Sequence, residues 1–572
     1  MNLHNYLYIF SLAFFFLLGC KPVFDHQITV SELEESIGFL ASDSLKGRLP
    51  GTPEDAILIS YLSEKMDQSG LVPMEEDGLQ PVEIESGFSI TSNNSLKASD
   101  SFLLQVDGSS FVVFGFSATD TLEGELLLSR SVPQNWESTA ENQILMLPLP
   151  DSIPGNDYDA FNMLRSAALH ISDMGVAGII FLSDDPLAEI SYPKRLPLSI
   201  PVTAVHKSAL TQLTGNEILS VMNSKERGAT SSPLETGINV RLETEVIPTK
   251  ITTYNTLFRL KGSAPELSNE YVVIGAHHDH LGMGGRGSSS RQQDTVAVHY
   301  GADDNASGVA GVLELGQYMI SRSPSRSFVF STFAAEEMGL HGSKALAASS
   351  IIPMENIQTM INLDMIGRLN EERQLQIGGV GTSPVFRPLI DSINSEYNFT
   401  IAYSEAGYGP SDHSSFYAKD VPVLFISTGA HTDYHTPADD ASKIHYSGLE
   451  EVLYFVSDIA YALANYESKI PFTLAGPKES SGSRGRRGMV TFGLMPDMMY
   501  DGNEGMPVSF VTEGKPAAIG GMKGGDIITA VDGKHVGNVY DYMDRLSALK
   551  EGQSVVVSVK REGKQIELLL KL

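Results

Sequence analysis

Between residues 251 and 468, short apolar runs alternate with helix-like segments, and acidic or histidine residues follow each apolar run. Buried parallel strands of an α/β sheet have this continuous apolar character. Ligands of open α/β sheets bind at the carboxyl ends of the strands, so these polar residues are expected to meet in one crevice. The pattern predicts a doubly wound mixed α/β sheet with a polar site at one edge. Its strands are expected at Tyr271–Gly275, Ser327–Phe333, Thr359–Leu363 and Val421–Ile426.

The residues behind these strands are histidines and carboxylates, and a further acidic segment, 301–308, precedes a helix-like run. Taken alone, that segment is explained by helix capping, because Asp, Asn and Ser cap helices. The polar residues behind the four strands and this acidic segment together indicate a site for a pair of divalent ions. The imidazoles favour zinc, and manganese or cobalt are alternatives. Such a pair needs a bridging carboxylate, and another carboxylate outside the ligand set can accept a proton from water. The candidate residues are His277, Asp279, Asp303, Glu336, Glu337, Asp364 and His435.

The same pieces form an ordered set of motifs. They read Ala-His-x-Asp, Gly-Ala-Asp-Asp-Asn-Ala-Ser-Gly, Glu-Glu-x-Gly-Leu-x-Gly-Ser, Asn-x-Asp-Met-Ile-Gly and Tyr-His-Thr-x-x-Asp. This order resembles the zinc exopeptidase family that includes bacterial leucyl aminopeptidase and glutamate carboxypeptidase. The resemblance implies a phosphorylase/hydrolase-like peptidase domain, and residues 43–51 resemble the N-terminal segment of that family.

The resemblance also implies a role for each matching metal position. Asp303 would bridge two zinc ions. His277 and Asp364 would complete one ion site. Glu337 and His435 would complete the other.

Four further roles follow from the resemblance. Glu336 would be the general base that activates a metal-bridging water, and Asp279 would orient His277. Ser411 would support His435, and Tyr408 would help to stabilise the tetrahedral intermediate.

These roles predict hydrolysis of peptide bonds, with an aminopeptidase as the first hypothesis. A carboxypeptidase is the alternative within the family. Which end of the peptide is trimmed depends on the group that holds the substrate terminus: an acid would hold an amine, and an arginine would hold a carboxylate. Glutaminyl cyclisation is less favoured, since His277 and Asp364 preserve the second metal site. A hypothesis of another class is a non-catalytic envelope receptor or scaffold that binds peptides.

The segments outside the sheet predict further domains. Residues 96–250 are rich in short strands, and the runs Ala177–Leu182 and Ile200–Val205 resemble a protease-associated domain inserted into the peptidase domain. The last segment resembles a PDZ domain, in which Phe492, Gly493 and Leu494 would receive the carboxylate of a C-terminal peptide ligand. The alternative is a PDZ domain that packs on the peptidase and binds nothing. The predicted boundaries are 20–95 for the first part of the peptidase domain, 96–250 for the insertion, 251–468 for the catalytic part, 469–488 for a linker and 489–572 for PDZ.

The N-terminus predicts a lipid anchor. Residues 1–19 resemble a bacterial lipoprotein signal peptide, and they precede Cys20, the single cysteine of the chain. Lipidation at Cys20 would hold the protein to a membrane of the bacterial cell envelope, on the periplasmic or outer-membrane side. A net charge of −30 disfavours nucleic acid as a partner.

Overall fold

The computed structural model describes residues 26–98, 103–133, 136–138, 142–150, 153–154, 157–185, 197–214, 232–478, 491–497, 500, 504–550 and 552–572. The signal peptide, Cys20 and residues 479–488 of the predicted linker lie outside these ranges, so those predictions stay predictions. Within the described ranges, no helix has the length and apolar character that crossing a membrane requires.

The N-terminal segment begins with two helices that pack on the catalytic sheet. The first helix starts after Thr29, whose side chain accepts a hydrogen bond from the backbone of Glu32, and Thr52 caps the second in the same way. Their apolar faces join the largest core cluster. The elements are α1 (Val30–Leu40), α2 (Pro53–Gln68), β1 (Val72–Pro73) and β2 (Leu79–Ile90).

An inserted β-rich unit follows β2 and has its own mixed sheet. Separate apolar clusters cover the two faces of this sheet. Its identity as a protease-associated domain stays a prediction. The elements are β3 (Ser95–Ala98), β4 (Leu103–Gln105), β5 (Phe111–Val113), β6 (Asp120–Leu128), β7 (Gln143–Pro148), α3 (Asp157–Ser172), β8 (Gly178–Ser183), β9 (Val202–His206), α4 (Lys207–Thr214) and β10 (Leu234–Thr244), in the strand order β4-β3-β10-β6-β7-β8-β9-β5.

The chain returns through a long strand, β11, that rebuilds the first domain. One part of β11 pairs with β2 and its last residues pair with β13, so the two halves of the domain share one sheet. The elements are β11 (Val246–Leu260), β12 (Tyr271–His277), α5 (Gly308–Arg322), β13 (Ser327–Phe333), α6 (His341–Ala348), β14 (Ile357–Leu363), β15 (Gln374–Gly378), α7 (Phe386–Tyr397), β16 (Thr400–Tyr403), α8 (His413–Tyr417), β17 (Val423–Ser427) and α9 (Tyr446–Ala464).

This sheet confirms the predicted doubly wound mixed architecture. Its strand order is β1-β11-β13-β12-β14-β17-β15-β16, and β13, β12, β14 and β17 run parallel. Along β12, Val272 and Ile274 face the cluster that contains α1, α5 and α9, whereas Val273 faces the cluster that contains α6 and α8. Both faces are therefore covered, and the carboxyl ends of the four parallel strands lie at one edge.

The C-terminal segment forms a separate small sheet around its own core. Phe492 belongs to this core: its ring is fully buried 5.7 Å from that of Tyr542, and its carbonyl accepts the N–H of Ala517. Binding of a peptide carboxylate at residues 492–494 stays a prediction. The elements are β18 (Leu494–Pro496), β19 (Met506–Val511), α10 (Pro516–Ile519), β20 (Ile527–Val531), β21 (Lys534–His535), α11 (Val539–Ser547), β22 (Ser554–Arg561) and β23 (Lys564–Lys571), in the order β18-β19-β20-β22-β23 with β21 beside β20.

Candidate metal centre

The carboxyl edge of the catalytic sheet gathers the predicted polar residues. Strand β12 ends at His277, and Asp364 directly follows β14. Glu336 and Glu337 lie in the turn after β13, and His435 lies in the loop after β17. Because these four strands are neighbours and parallel, their ends place the side chains around one cavity.

The structure corrects the prediction for Asp303, because the carboxylate between the histidines belongs to Asp304. Its Oδ1 lies 3.3 Å from His277 Nε2, and its Oδ2 lies 3.2 Å from His435 Nε2. The side chain of Asp303 turns away from the cavity, where its Oδ1 accepts the N–H of Gly367 at 2.6 Å. The helical turn 302–307 therefore presents its second aspartate to the site.

Asp439 fixes the orientation of that turn. Its Oδ2 accepts the backbone N–H groups of Asp303 at 3.0 Å and Asp304 at 3.1 Å, and its Oδ1 accepts a hydrogen bond from Arg368 at 2.9 Å. Asp439 is the final residue of the Tyr-His-Thr-x-x-Asp motif, and sequence reasoning gave it no role. Its hydrogen bonds hold the acidic turn in place.

Two groups of metal-binding side chains share Asp304. His277, Asp304 and Asp364 form one group, and His280, Asp304 and Glu337 form the other, with the ligand atoms of each group within 4.8 Å of one another. Asp304 Oδ2 and His280 Nε2 are buried without a hydrogen-bond partner among the described residues. Such orphaned atoms between imidazoles and carboxylates fit a bound cation, and this donor set suits zinc.

His280 is a site residue that sequence reasoning did not single out. Its ring is buried, and Nδ1 lies 2.9 Å from Glu337 Oε1, which is also 3.2 Å from His435 Nε2. The available signal was its place in the run His277-His278-Asp279-His280 directly after a strand.

The electrostatics of the site are those of closely packed opposite charges. Burial alone would raise the pKa of Asp304, but His280, His277 and His435 hold that pKa well below its ordinary value. Burial opposes the charged form of His435, yet Glu337 and Asp304 raise its pKa well above the ordinary value. The carboxylates at this edge therefore favour a positive partner beside them, either a protonated imidazole or a bound cation.

Asp279 acts on the glutamate turn as well as on His277. Its carboxylate accepts the N–H of Glu336 at 2.9 Å and the N–H of Glu337 at 3.2 Å. His277 Nδ1 lies 3.1 Å from the backbone oxygen of Asp279 and 3.7 Å from its carboxylate. The predicted orienting contact with His277 thus runs through the backbone oxygen, while the carboxylate positions both glutamates.

Glu336 lies in the cavity and outside both candidate ligand groups. Burial raises the pKa of Glu336 well above its ordinary value, and Asp412, Glu337 and Asp364 add to this shift against the opposing effect of His277. A carboxylate with this raised proton affinity is suited to accept a proton from water.

The structure revises the predictions for Ser411 and Tyr408. Ser411 Oγ donates to Asp364 Oδ2 at 2.7 Å and accepts a hydrogen bond from Asn362 at 2.7 Å, so it supports Asp364 rather than His435. Tyr408 packs against the apolar cluster on the sheet face that carries α6 and α8, and it is not among the described residues that line the cavity. Another tyrosine does line it: the ring of Tyr434 stacks on that of His435 at 3.8 Å.

A protein-family model matches the part of the chain that carries this site. The model of peptidase family M28 matches residues 255–460, which contain all the candidate ligands. Residues 255–460 are a peptidase family M28 domain. A PDZ model matches residues 490–572, which confirms the predicted C-terminal PDZ domain.

Relatives of the M28 domain are similar to this chain over part of their length. A probable zinc metalloprotease of Pyrenophora tritici-repentis is 37% identical over 22% of this chain and 27% of its own. Leucine aminopeptidase 1 of Blastomyces gilchristii is 27% identical over 36% of this chain and 56% of its own. The chain thus spans from about a quarter to about half of the length of these curated relatives. Among solved structures, the aminopeptidase from Aneurinibacillus sp. strain AM-1 aligns with 78% of this chain and 95% of its own, at 20% identity and a TM-score of 0.43.

Proposed function

We propose that the chain is a zinc-dependent aminopeptidase that binds two zinc ions and removes residues from the amino end of peptides. The observation that carries this proposal is the position of Asp304. One of its carboxylate oxygens faces His277 and the other faces His435, as a ligand shared by two ions must do. The M28 domain and the names of its relatives support zinc as the metal.

The proposed ligand sets follow from the two side-chain groups. Asp304 would bridge the ions, with His277 and Asp364 on one side. Glu337 and His435 would hold the second ion. Zinc bound here would polarise the peptide carbonyl and lower the pKa of water towards neutrality.

The protein's own residues would handle the protons. Glu336 accepts the proton of the attacking water at its carboxylate and transfers it to the nitrogen of the leaving amine. The carboxylate of Asp279 holds Glu336 and Glu337 in position by accepting hydrogen bonds from their backbone N–H groups. Ser411 holds the carboxylate of Asp364 by donating to one oxygen, which leaves the other facing His277.

The lining of the cavity favours an amino end over a carboxyl end. Among the described lining residues none is lysine or arginine, the residue types that would hold a substrate carboxylate. Asp497 adds a carboxylate outside the proposed metal ligands and the base. An acidic lining suits the ammonium group of a free N-terminus.

Purified protein loaded with zinc tests this proposal. We expect two zinc atoms per chain and cleavage of leucyl peptides with a free amine, with no cleavage of N-acetylated peptides. Glu336→Gln is expected to lower kcat by at least roughly 100-fold with zinc content retained, because general-base catalysis contributes about 10²- to 10⁴-fold. Glu372→Gln, at an exposed position, is the matched control.

Two outcomes would contradict the proposal. Release of residues from the carboxyl end of blocked peptides would establish a carboxypeptidase. Equal, background-level activity of wild-type protein and Glu336→Gln would favour the scaffold hypothesis.

We also propose that Cys20 carries the lipid anchor that holds the protein in the cell envelope. The support is the almost wholly apolar run of residues 6–18, whose last residue begins the sequence Leu18-Gly19-Cys20. Cys20→Ala should move the protein from the membrane fraction to the soluble fraction. Retention of this variant in the membrane fraction would contradict the anchor.

A further inference from the structure

The PDZ domain forms one wall of the cavity above the candidate metal centre. Met495 and Pro496 of β18, Asp497 just after it, and Ser509 of β19 line the same cavity as His277, Asp304 and Glu336. Residues separated by more than a hundred positions in sequence therefore share one pocket.

Arg291 joins this wall to the loop that carries His435. Arg291 Nη2 donates to Thr512 Oγ1 of the PDZ domain at 2.9 Å, and its guanidinium group lies 4.3 Å from the centre of the Phe510 ring. On the other side, Nη1 donates to the carbonyl of Thr432 at 2.8 Å, and the backbone N–H donates to the carbonyl of His435 at 3.0 Å. These contacts fix the position of the PDZ wall relative to His435, a proposed zinc ligand.

We infer that the PDZ domain completes the substrate pocket and that Asp497 binds the α-ammonium group of the peptide substrate. This inference rests on the proposed aminopeptidase function and assigns its substrate-binding acid. Asp304, Glu337 and Asp364 belong to the candidate metal groups, and Glu336 is the proposed base. Asp497 also lines this cavity, lies outside both candidate metal groups, and comes from the PDZ domain.

The rest of the wall indicates which first residue the pocket accepts. Met495 of the PDZ domain and Met365 and Phe425 of the M28 domain give the lining an apolar portion. Flexible thioethers adapt to side chains of different shape. The substrate class is therefore peptides with a free amine and an apolar N-terminal residue.

The test compares two substrates in the zinc-loaded full-length protein. One is leucyl-p-nitroanilide, and the other is 4-methylpentanoyl-p-nitroanilide, which differs by the absence of the amine. Asp497→Asn is expected to lower kcat/KM for the leucyl substrate by roughly 10- to 100-fold, the effect of losing a charge-assisted hydrogen bond. Its kcat/KM for the des-amino substrate should stay within about two-fold of the wild-type value. The ratio of kcat/KM for the leucyl substrate to that for the des-amino substrate, which measures the preference for the amine, should therefore fall.

Two further variants separate this role from a structural one. Asp497→Glu keeps the charge and is expected to recover part of the preference for the amine. Glu513→Gln removes an exposed carboxylate of the same domain and should leave the preference unchanged. Zinc content and thermal unfolding, measured for every variant, are expected to match the wild type.

Each result bears on the inference. If wild-type protein prefers the amine and Asp497→Asn retains that preference, the inference is wrong while the proposed function stands. The same holds if Asp497→Asn loses zinc or lowers activity on both substrates equally. If zinc-loaded wild-type protein hydrolyses neither leucyl-p-nitroanilide nor leucyl peptides, the proposed function and this inference fail together.

Discussion

The guanidinium group of Arg48 donates from Nε to the carbonyl oxygen of His278 over 2.8 Å, across 230 residues of sequence. The same side chain is fully buried and also donates to the carbonyls of Tyr300 at 2.7 Å and Gly301 at 2.8 Å. These carbonyls belong to the loops beside His277 and Asp304. Arg48 belongs to segment 43–51, whose sequence resembles the N-terminal segment of the peptidase family. In the structure, this segment clamps both loops through Arg48.

Replacement of Arg48 should loosen this clamp. Arg48→Ala leaves buried carbonyls without donors, and we expect a loss of about 3–5 kcal/mol in the free energy of unfolding together with weaker zinc binding. Urea unfolding and competition with a zinc chelator measure the two effects. Arg387→Ala, which removes an exposed ion pair with Asp391, should change stability by less than about 1 kcal/mol. Equal stability losses in the two variants would contradict the clamp.

The two neighbouring aspartates of the acidic turn should differ in their effect on metal content. Asp304→Asn removes the shared ligand, so we expect loss of at least one zinc per chain and a fall in activity of roughly 100-fold or more. Asp303→Asn keeps the ligand set and weakens buried hydrogen bonds, which should lower stability by about 1–3 kcal/mol with zinc retained. Elemental analysis measures the zinc content of both variants. Loss of zinc in Asp303→Asn with zinc retained in Asp304→Asn would show that Asp303 is the bridging residue.

Ser411 should tune the metal site through Asp364. Ser411→Ala removes the 2.7 Å hydrogen bond to the carboxylate, and loss of such an outer contact typically weakens metal binding by about 10- to 100-fold. Chelator competition measures this change. Ser392→Ala, at an exposed helical position, is the control. Wild-type zinc affinity in Ser411→Ala would exclude a positioning role for this hydroxyl.

Glu314, on α5, should make stability depend on pH. Burial raises its pKa to about 7, against the effect of His26, whose Nε2 lies 3.1 Å away. The folded state therefore favours the protonated carboxyl, and this contribution is complete below pH 4.5 and is lost as the pH rises through 7. In Glu314→Gln, the decline in unfolding free energy between pH 4.5 and 8 should be smaller by up to about 3 kcal/mol.

The pH series is measured by urea unfolding in wild-type protein and two variants. Glu64→Gln, an exposed glutamate of α2, controls for the loss of one carboxylate. Parallel pH profiles for Glu314→Gln and the wild type would show that Glu314 does not titrate in this range.

The sequence predicted the sheet well because apolar runs and polar strand ends are local signals. Strand β13 has the predicted bounds, and β12 extends two residues beyond them to include His277. The choice between Asp303 and Asp304 was not local. Both follow the same Gly-Ala pair, and Asp439, 135 residues away from Asp304, decides which one faces the cavity.

The remaining differences arise from contacts that no sequence pattern records. Ser411 reaches Asp364 rather than His435 because of how β14 and the loop before α8 pack. The PDZ domain was predicted from its own motifs, but its contacts with the M28 domain include a hydrogen bond between Arg291 and Thr512, which are 221 residues apart. Such a contact becomes visible only in three dimensions.

The order in which these contacts lie along the chain bears on biosynthesis. A ribosome makes Arg48 long before the carbonyls that it clamps, and it makes the acidic turn before Asp439, which orients that turn. The cavity receives its last wall only with Asp497 and Ser509 of the PDZ domain. A nascent chain therefore cannot assemble the candidate metal centre until most of its residues have been synthesised.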